Sequence, residues 1–242
     1  MERLDKLIAD RACVSRRDAK ALIRKGVVTV NGKAASPEQK CGEKDVVLLE
    51  GKQLCLTPLV YLMLNKPAGV VCATRDPACE TVLDLLPKPL RRKGLFPAGR
   101  LDKDTEGFVL ITNDGAFAHR ILSPKNHIPK TYLAVLDAPA DVEKLSKHFA
   151  RGMDLGGGDF VSPAQLRLVE GGPNPVVEVV IHEGVYHQVK RMFGKYSLNV
   201  RYLKRVKIGW LPLDPALGPG ESRELSAEEK EAISAKSGSI TV

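Results

Sequence analysis

A polar segment near the middle of the chain has the residue types of a catalytic loop. It reads Gly99-Arg100-Leu101-Asp102-Lys103-Asp104-Thr105-Glu106-Gly107 and lies between two apolar stretches. Arg100 and Lys103 flank Asp102 and favour its ionised form, and an ionised carboxylate can act as a nucleophile or a general base. Asp102 is therefore the candidate catalytic residue. Asp104 is more typical of a turn residue that caps a backbone N–H.

An aromatic residue follows a basic stretch further along the chain. Tyr132 lies near the start of a predicted strand, just after Lys130, and no acid occurs from Arg120 to Lys130. A strand tyrosine usually packs half-buried, but an aromatic ring beside basic residues is also what stacking on an unpaired base requires.

A second segment of this kind begins at Tyr186. Helical spacing places Val189, Met192 and Phe193 on a buried face and directs Lys190 and Arg191 elsewhere.

The charge balance favours a polyanionic partner. The chain has 242 residues with 37 Lys and Arg against 29 Asp and Glu, a formal charge of +8. Such an excess suits nucleic acid or an anionic membrane. The longest apolar stretch runs only from Leu59 to Leu64, far short of the ~20 residues that a spanning helix needs. The first residues lack the apolar core of a secretory signal, so we expect a cytoplasmic protein with no membrane partner.

The excess charge is concentrated in two windows. Seven basic residues and one acid lie from Arg11 to Lys33, and seven basic residues and no acid lie from Tyr186 to Lys207. Charge runs are often solvated surface, but windows without compensating acid suit contacts with phosphates. In the first window Arg16, Lys20 and Arg24 share one side of a predicted helix, and Arg17 is adjacent. The two windows predict a long RNA or DNA footprint.

Metal and cofactor chemistry has little support in the sequence. The five cysteines include no C-x-x-C pair and the five histidines include no H-E-x-x-H motif. The two aspartates of the polar segment have a D-x-D spacing, which can hold a divalent metal, but no other clustered acids complete such a site. No dinucleotide or phosphate-loop motif is present. We therefore expect neither a metal nor a cofactor.

The first 50 residues form a self-contained pattern. A short helix over Leu4–Ile8 is followed by a second helix, 16–25, with Ser15 as N-cap and Gly26 as stop. A β-branched strand, the turn Asn31-Gly32 and another strand come next. This order of elements resembles the S4 RNA-binding domain. The resemblance implies that the partner is RNA and that the second helix faces it.

The remaining chain alternates strands and helices without a parallel β-α-β rhythm. This pattern predicts an α+β fold: a mixed, mostly antiparallel sheet with helices on its faces. We expect a small domain over residues 1–50, a linker over 51–58, a catalytic domain over 59–234 and a disordered tail over 235–242.

Four segments and their order carry a resemblance that covers nearly the whole chain. They are Lys66-Pro67-Ala68-Gly69, the polar segment 99–107, Lys130-Thr131-Tyr132 and His187-Gln188-Val189-Lys190-Arg191-Met192. With the S4-like start, they resemble the RsuA-type RNA pseudouridine synthases. The resemblance implies a central catalytic cleft with Asp102 as the catalytic aspartate, Tyr132 stacked on the target base and Lys190 as the basic partner of the aspartate. That partner is often Arg, and Lys keeps the charge but loses the bidentate fork.

The resemblance also implies a substrate. We expect isomerisation of a uridine in ribosomal RNA, in the small-subunit branch uridine 516 of 16S rRNA, by a monomer acting on an assembly intermediate. The alternatives are a large-subunit (23S) enzyme of the same family and a non-catalytic S4-type RNA-binding or assembly protein. The residues expected to contact RNA are basic: Arg3, Arg16, Arg17, Lys20, Arg24, Arg100, Arg191 and Arg201.

Overall fold

The computed structural model describes residues 1–12, 14–42, 44–54, 56 and 59–235. The chain divides into two compact units, Met1–Leu59 and Val60–Val242. Cys13, Cys55 and all but the first residue of the predicted tail, 235–242, lie outside the described residues. No helix in the described part of the chain is long and apolar enough to cross a membrane.

The first unit packs two short helices against a small sheet. Its elements are β1 (Glu2–Arg3), α1 (Leu4–Ala12), α2 (Arg16–Arg24), β2 (Val28–Val30), β3 (Lys33–Ala34), β4 (Lys40–Cys41), β5 (Val47–Leu49) and β6 (Lys52–Gln53). The sheet order is β3-β2-β5-β6, and β1 pairs with β4. The Ser15 side chain accepts a hydrogen bond from the backbone N–H of Asp18 and so caps α2. The helices contribute Leu4, Ile8 and Ile23 to one apolar core with Val28 and Val47.

Two tight turns shape this small sheet. Asn31 and Gly32 both have positive φ, as a two-residue hairpin turn requires. Glu50 and Gly51 also have positive φ, and the chain returns as β6, antiparallel to β5. The segment 51–58, which we expected to be a linker, therefore begins with a strand of this sheet. The sequence signal was the glycine at position 51, which permits the left-handed backbone of the turn.

The second unit is built on a nine-stranded sheet. Its strands are β7 (Tyr61–Lys66), β8 (Phe96–Ala98), β9 (Glu106–Thr112), β10 (Lys130–Leu136), β13 (Gln165–Glu170), β14 (Val176–Ile181), β15 (Val200–Ile208), β16 (Leu211–Pro212) and β17 (Ser222–Glu224), while β11 (Met153–Asp154) and β12 (Phe160–Val161) form a separate hairpin. The order is β13-β14-β10-β15-β9-β7-β17, with β8 on β9 and β16 on β15. Within the described residues, β15 and β9 are the parallel pair and the other pairings are antiparallel.

Helices cover both faces of this sheet. They are α3 (Gly115–Leu122), α4 (Val142–Phe149), α5 (Gln188–Gly194) and α6 (Ala227–Ser234), and 3-10 turns occur at Lys88–Leu90 and Pro124–Asn126. Because side chains alternate along a strand, Leu62 of β7 packs in a core with α4 and α5, whereas Met63 packs in a second core with α3 and α6. The predicted α+β fold with a mixed, mostly antiparallel sheet is confirmed.

Candidate active site

A buried lysine fixes the shape of the polar loop. Lys66, the last residue of β7, donates from Nζ to the backbone oxygens of Pro67 (2.9 Å), Lys103 (3.2 Å) and Thr105 (2.7 Å). The side chain is fully buried, and this burial lowers the pKa of Lys66. Three carbonyl dipoles, two of them from the polar loop, therefore hold the cation, and the cation in turn fixes the loop backbone. The sequence marked Lys66 only as part of a motif.

Two glycines let the chain enter and leave this loop. Gly99 and Gly107 both have positive φ, 89° and 101°. At Gly107 the backbone of Arg205 on β15 lies so close that a Cβ atom would overlap its carbonyl oxygen. A side chain at this position would force β9 away from β15, the neighbour to which it is hydrogen-bonded. The glycine therefore allows the loop to sit directly at the end of the parallel strand pair.

The carboxylate of Asp102 lies between two basic side chains of another segment. Lys190 Nζ is 3.3 Å from Oδ2, and His187 Nε2 is 3.5 Å from Oδ1. Lys190 belongs to α5, and His187 is the residue before it, held in the left-handed region at φ 50° and ψ 32°. Asp102 keeps 28% of its side chain exposed. The structure thus brings Asp102 and Lys190 together, as we expected, and adds His187, which the sequence marked only as part of a motif.

Lys190 also binds the second aspartate of the loop. Its Nζ lies 2.6 Å from Oδ1 of Asp104. Burial alone would lower the pKa of Lys190, but the contacts with Asp104 and Asp102 outweigh it and raise that pKa. The hydrogen bond from Lys190 lowers the pKa of Asp104. Asp104 is therefore the closer ion-pair partner of Lys190, a contact that its expected turn-capping role did not include.

A small open cleft lies at Asp102. Its polar lining includes Arg100, Asp102 and His187, and its apolar lining comes from strands, helix α5 and two loop residues: Tyr132, Ile181, Leu203, Val189, Leu101 and Val185. A planar ring can enter between apolar walls while its polar edge meets Asp102, Arg100 and the His187 imidazole. Asp102 and Tyr132, predicted from separate segments, line the same cleft.

Tyr132 is held from behind by a buried arginine. The tyrosine is 7% exposed on β10, and Arg205 of the neighbouring strand is 4% exposed. Arg205 donates from Nη1 to the Tyr132 hydroxyl (3.4 Å) and from Nε to the carbonyl of Phe108 (2.7 Å). Its Nη2 is buried without a hydrogen-bond partner among the described residues. The sequence placed Arg205 in a window of RNA-facing charge, whereas its side chain points inward.

Three of the residues expected to bind RNA are ion-paired to one buried acid in the first unit. The Asp5 side chain has no exposed surface, and Arg3 (3.1 Å), Arg16 (3.2 Å) and Lys20 (3.7 Å) approach its carboxylate. The pKa of Asp5 lies far below its usual range, and the hydrogen bonds from Arg3 make the largest contribution to this shift. Arg16 and Lys20, which we interpreted as part of an RNA-facing row on the helix, thus also stabilise the fold of this unit.

The remaining candidates differ in their surroundings. Arg17 and Arg24 are exposed and make no ion pair within the described residues. Arg100 is exposed at the cleft, and Arg201 is exposed on β15. Arg191 is engaged internally, with Nη1 2.7 Å from Asp159 and Nη2 3.1 Å from the carbonyl of Gly156. Its contacts tie α5 to the hairpin of β11 and β12.

Comparisons with known proteins show the family of the chain. A family model described as RNA pseudouridylate synthase matches residues 60–195, and an S4 domain model matches residues 2–47. A solved structure described as a crystal structure of pseudouridylate synthase is 39% identical, with a TM-score of 0.69, and covers 96% of this chain and 100% of that one. The chain belongs to the RNA pseudouridine synthase family and carries the S4 domain of the RsuA-type members. Both sequence resemblances are thereby confirmed.

Two curated relatives match this chain over nearly their whole length. The chain is 45% identical over 230 residues to the uncharacterized RNA pseudouridine synthase YtzG of Bacillus subtilis (strain 168), which covers 94% of this chain and 96% of the relative. It is 44% identical over 231 residues to ribosomal small subunit pseudouridine synthase A of Escherichia coli (strain K12), covering 94% and 97%.

Proposed function

We propose that this protein converts one uridine of 16S ribosomal RNA, uridine 516, to pseudouridine, with Asp102 as the catalytic residue. The observation that carries the proposal is the placement of the Asp102 carboxylate in the cleft, between Lys190 and His187 and in the same lining as Tyr132. The relatives named as small-subunit enzymes, matched over nearly their whole length, support the choice of RNA.

The reaction balances without an external reagent. The N1–C1′ bond breaks, the uracil rotates, and C5 bonds to C1′. The proton on C5 is lost, and N1 gains one. An ionised Asp102 can attack the nucleotide covalently or take the C2′ proton to give a glycal, and both routes need its negative charge. Lys190 and His187 orient that carboxylate, one at each oxygen.

The target nucleotide must leave its stack to reach Asp102. Flipping a base out costs a few kcal/mol, and stacking on an aromatic ring recovers about 1–3 kcal/mol. Tyr132 offers such a ring inside the cleft. Arg205 holds its hydroxyl, so the ring is positioned before the base arrives and little ordering remains for the bound state.

We further propose where the enzyme acts and on which form of its RNA. A monomeric, cytoplasmic enzyme would meet 16S rRNA in a partly assembled small subunit, with the first unit and its exposed Arg17 and Arg24 adding sequence-independent affinity. A large-subunit enzyme of the same family would share the cleft and differ in its RNA.

Pseudouridine mapping tests the choice of substrate. Ribosomal RNA from cells that lack the gene should lose one modification, at position 516 of 16S rRNA. A plasmid encoding the wild-type chain should restore it, and one encoding Asp102→Asn should not. Loss of a 23S position instead would assign the large-subunit alternative. An unchanged map of both RNAs would contradict an enzyme acting on ribosomal RNA.

A further inference from the structure

An exposed aromatic ring lies beside the cleft and has no role in the chemistry described above. Tyr186 is 73% exposed, more than any other aromatic residue in the described part of the chain. The ring stacks on the imidazole of His187, with centroids 3.8 Å apart and planes 17° from parallel. Since the imidazole covers one face, most of the exposed area belongs to the other face and the edge of the ring.

The local backbone fixes this pair. Arg191 donates to the carbonyl of Tyr186 at 3.1 Å, and the same guanidinium is bound to Asp159. His187 holds a left-handed conformation that is uncommon for a residue with a side chain. Such strain persists where the surroundings determine it and clusters at functional sites. The two rings therefore form a preorganised surface.

The same pair is joined to the catalytic carboxylate. His187 Nε2 lies 3.5 Å from Asp102, and the His187 side chain lines the cleft that Tyr132 also lines. Tyr186 thus continues the aromatic surface from the rim of the cleft outward. No hydrogen bond of its hydroxyl is present within the described residues, so the side chain is held by stacking.

Base flipping leaves neighbouring bases unstacked, and an exposed aromatic ring can bind one of them. When the target uridine leaves the stack, each adjoining base loses a partner on one side. An aromatic side chain can replace that partner irrespective of the sequence, because every base has a π face. A ring at the rim of the cleft is placed to meet a base one nucleotide away from the one inside.

We propose that Tyr186, backed by His187, is a second stacking site that binds the unpaired base adjoining the target uridine. The site takes a nucleobase and is distinct from the place of the flipped uracil. It rests on the proposed function only in needing an RNA with a flipped uridine.

Equilibrium binding of full-length variants tests the site. The probe is a fluorescent 16S rRNA fragment that contains uridine 516, either intact or with an abasic nucleotide on the 5′ or the 3′ side of that uridine. Tyr186→Ala should raise Kd about 5- to 100-fold, and Tyr186→Phe should bind as wild type does. Phe160→Ala is the matched control, because Phe160 is a comparably exposed aromatic (69%) that does not line the cleft; it should leave Kd unchanged.

The abasic probes locate the contact. For one of the two abasic probes, the Kd of wild type should equal the Kd of Tyr186→Ala for the intact probe. That abasic probe should also give the same Kd with both proteins. Equal Kd values of wild type and Tyr186→Ala for the intact probe would overturn the site. So would a Tyr186→Ala defect of the same size on both abasic probes. A lower rate at saturating RNA with unchanged Kd would mean that the ring acts through His187 on Asp102, which also overturns stacking.

These binding measurements test the stacking site separately from the choice of uridine 516 as the substrate. Kd and product formation are measured separately, so a Tyr186 effect that maps to one abasic probe supports the stacking site whether or not the intact fragment is converted to product. Conversely, pseudouridine formation at uridine 516 with no Tyr186 effect would reject the stacking site alone.

Discussion

The ammonium nitrogen of Lys190 lies 3.3 Å from a carboxylate oxygen of Asp102. The two residues come from different elements, α5 and the loop after β8, so their contact depends on the packing of the whole second unit. Asp104 holds the same ammonium at 2.6 Å. Because Asp104 is 72% exposed, its pairing with Lys190 is screened by water and weaker than the distance suggests. Lys190 therefore contacts both carboxylates, and its contact with the less exposed Asp102 is the one expected to matter more.

Removal of the Lys190 charge should slow the chemical step. We expect Lys190→Met to reduce the single-turnover rate at saturating RNA by about 10- to 100-fold, because a cation near the reacting carboxylate is lost from a partly shielded site. Lys190→Arg keeps the charge and should retain most of the rate. Asp104→Asn is the matched control and should cost much less than Lys190→Met. Equal rates for Lys190→Met and wild type would show that the cation is dispensable.

Substitutions of Tyr132 separate its ring from its hydroxyl. Tyr132→Phe keeps the stacking face and should stay close to wild type, whereas Tyr132→Leu fills the space without a π face and should weaken binding or rate about 5- to 100-fold. Rapid-quench assays with a 16S rRNA fragment give both quantities. If Phe proves as poor as Leu, the hydroxyl held by Arg205 is needed in its own right.

The salt dependence of RNA binding tests the surface of α2. Arg17→Gln with Arg24→Gln should reduce the slope of log K against log salt by about two units, roughly one for each lost phosphate contact. Stability should not change, because neither residue is ion-paired within the described part of the chain. Arg16→Gln with Lys20→Gln should instead destabilise the first unit, since both contact Asp5. An unchanged slope in the first double variant would make this face ordinary solvated surface.

The ion pairs of Asp5 predict acid sensitivity of the first unit. Its pKa in the folded chain lies below the unfolded value of about 3.9. The contribution of Asp5 to stability is therefore fully present above that value and is lost as pH falls toward the folded pKa. Asp5→Asn should lower the stability of residues 1–59 at pH 7 by about 1–3 kcal/mol and flatten its dependence on pH below about 5. Hydrogen exchange of peptides from residues 1–59 in the full chain measures both effects, and wild-type protection in Asp5→Asn at pH 7 would contradict them.

The sequence predicted elements better than it predicted pairing partners. Ser15 located the start of α2, and Asn31-Gly32 located the turn between β2 and β3, because caps and turns are local signals. Val200–Ile208 is one strand that pairs with both β10 and β9, and no local pattern in the sequence specifies these two partners. Helix α5 begins at Gln188, because His187 before it has a left-handed backbone that does not continue the helix.

For the site, the motifs indicated Asp102, Tyr132 and Lys190, and the structure brings all three to the cleft region. The burial of Lys66 and Arg205 was not predictable from charge alone, since the sequence does not distinguish a buried lysine or arginine from an exposed one. Their partners are backbone carbonyls in the first case and a carbonyl with a hydroxyl in the second. Asp5 was overlooked for the same reason, as its three cations are assembled by folding.

The most direct test of the central claim is release of tritium from uridine labelled at C5 in a 16S rRNA fragment, because the proton on C5 must leave when C5 bonds to C1′. Purified Asp102→Asn keeps the shape of the side chain and loses the charge, so it should release no tritium while binding the fragment within about tenfold of wild type. Asp104→Asn, assayed in parallel, should still release it. Tritium release by Asp102→Asn at the wild-type rate would contradict the assignment of Asp102 as the catalytic residue.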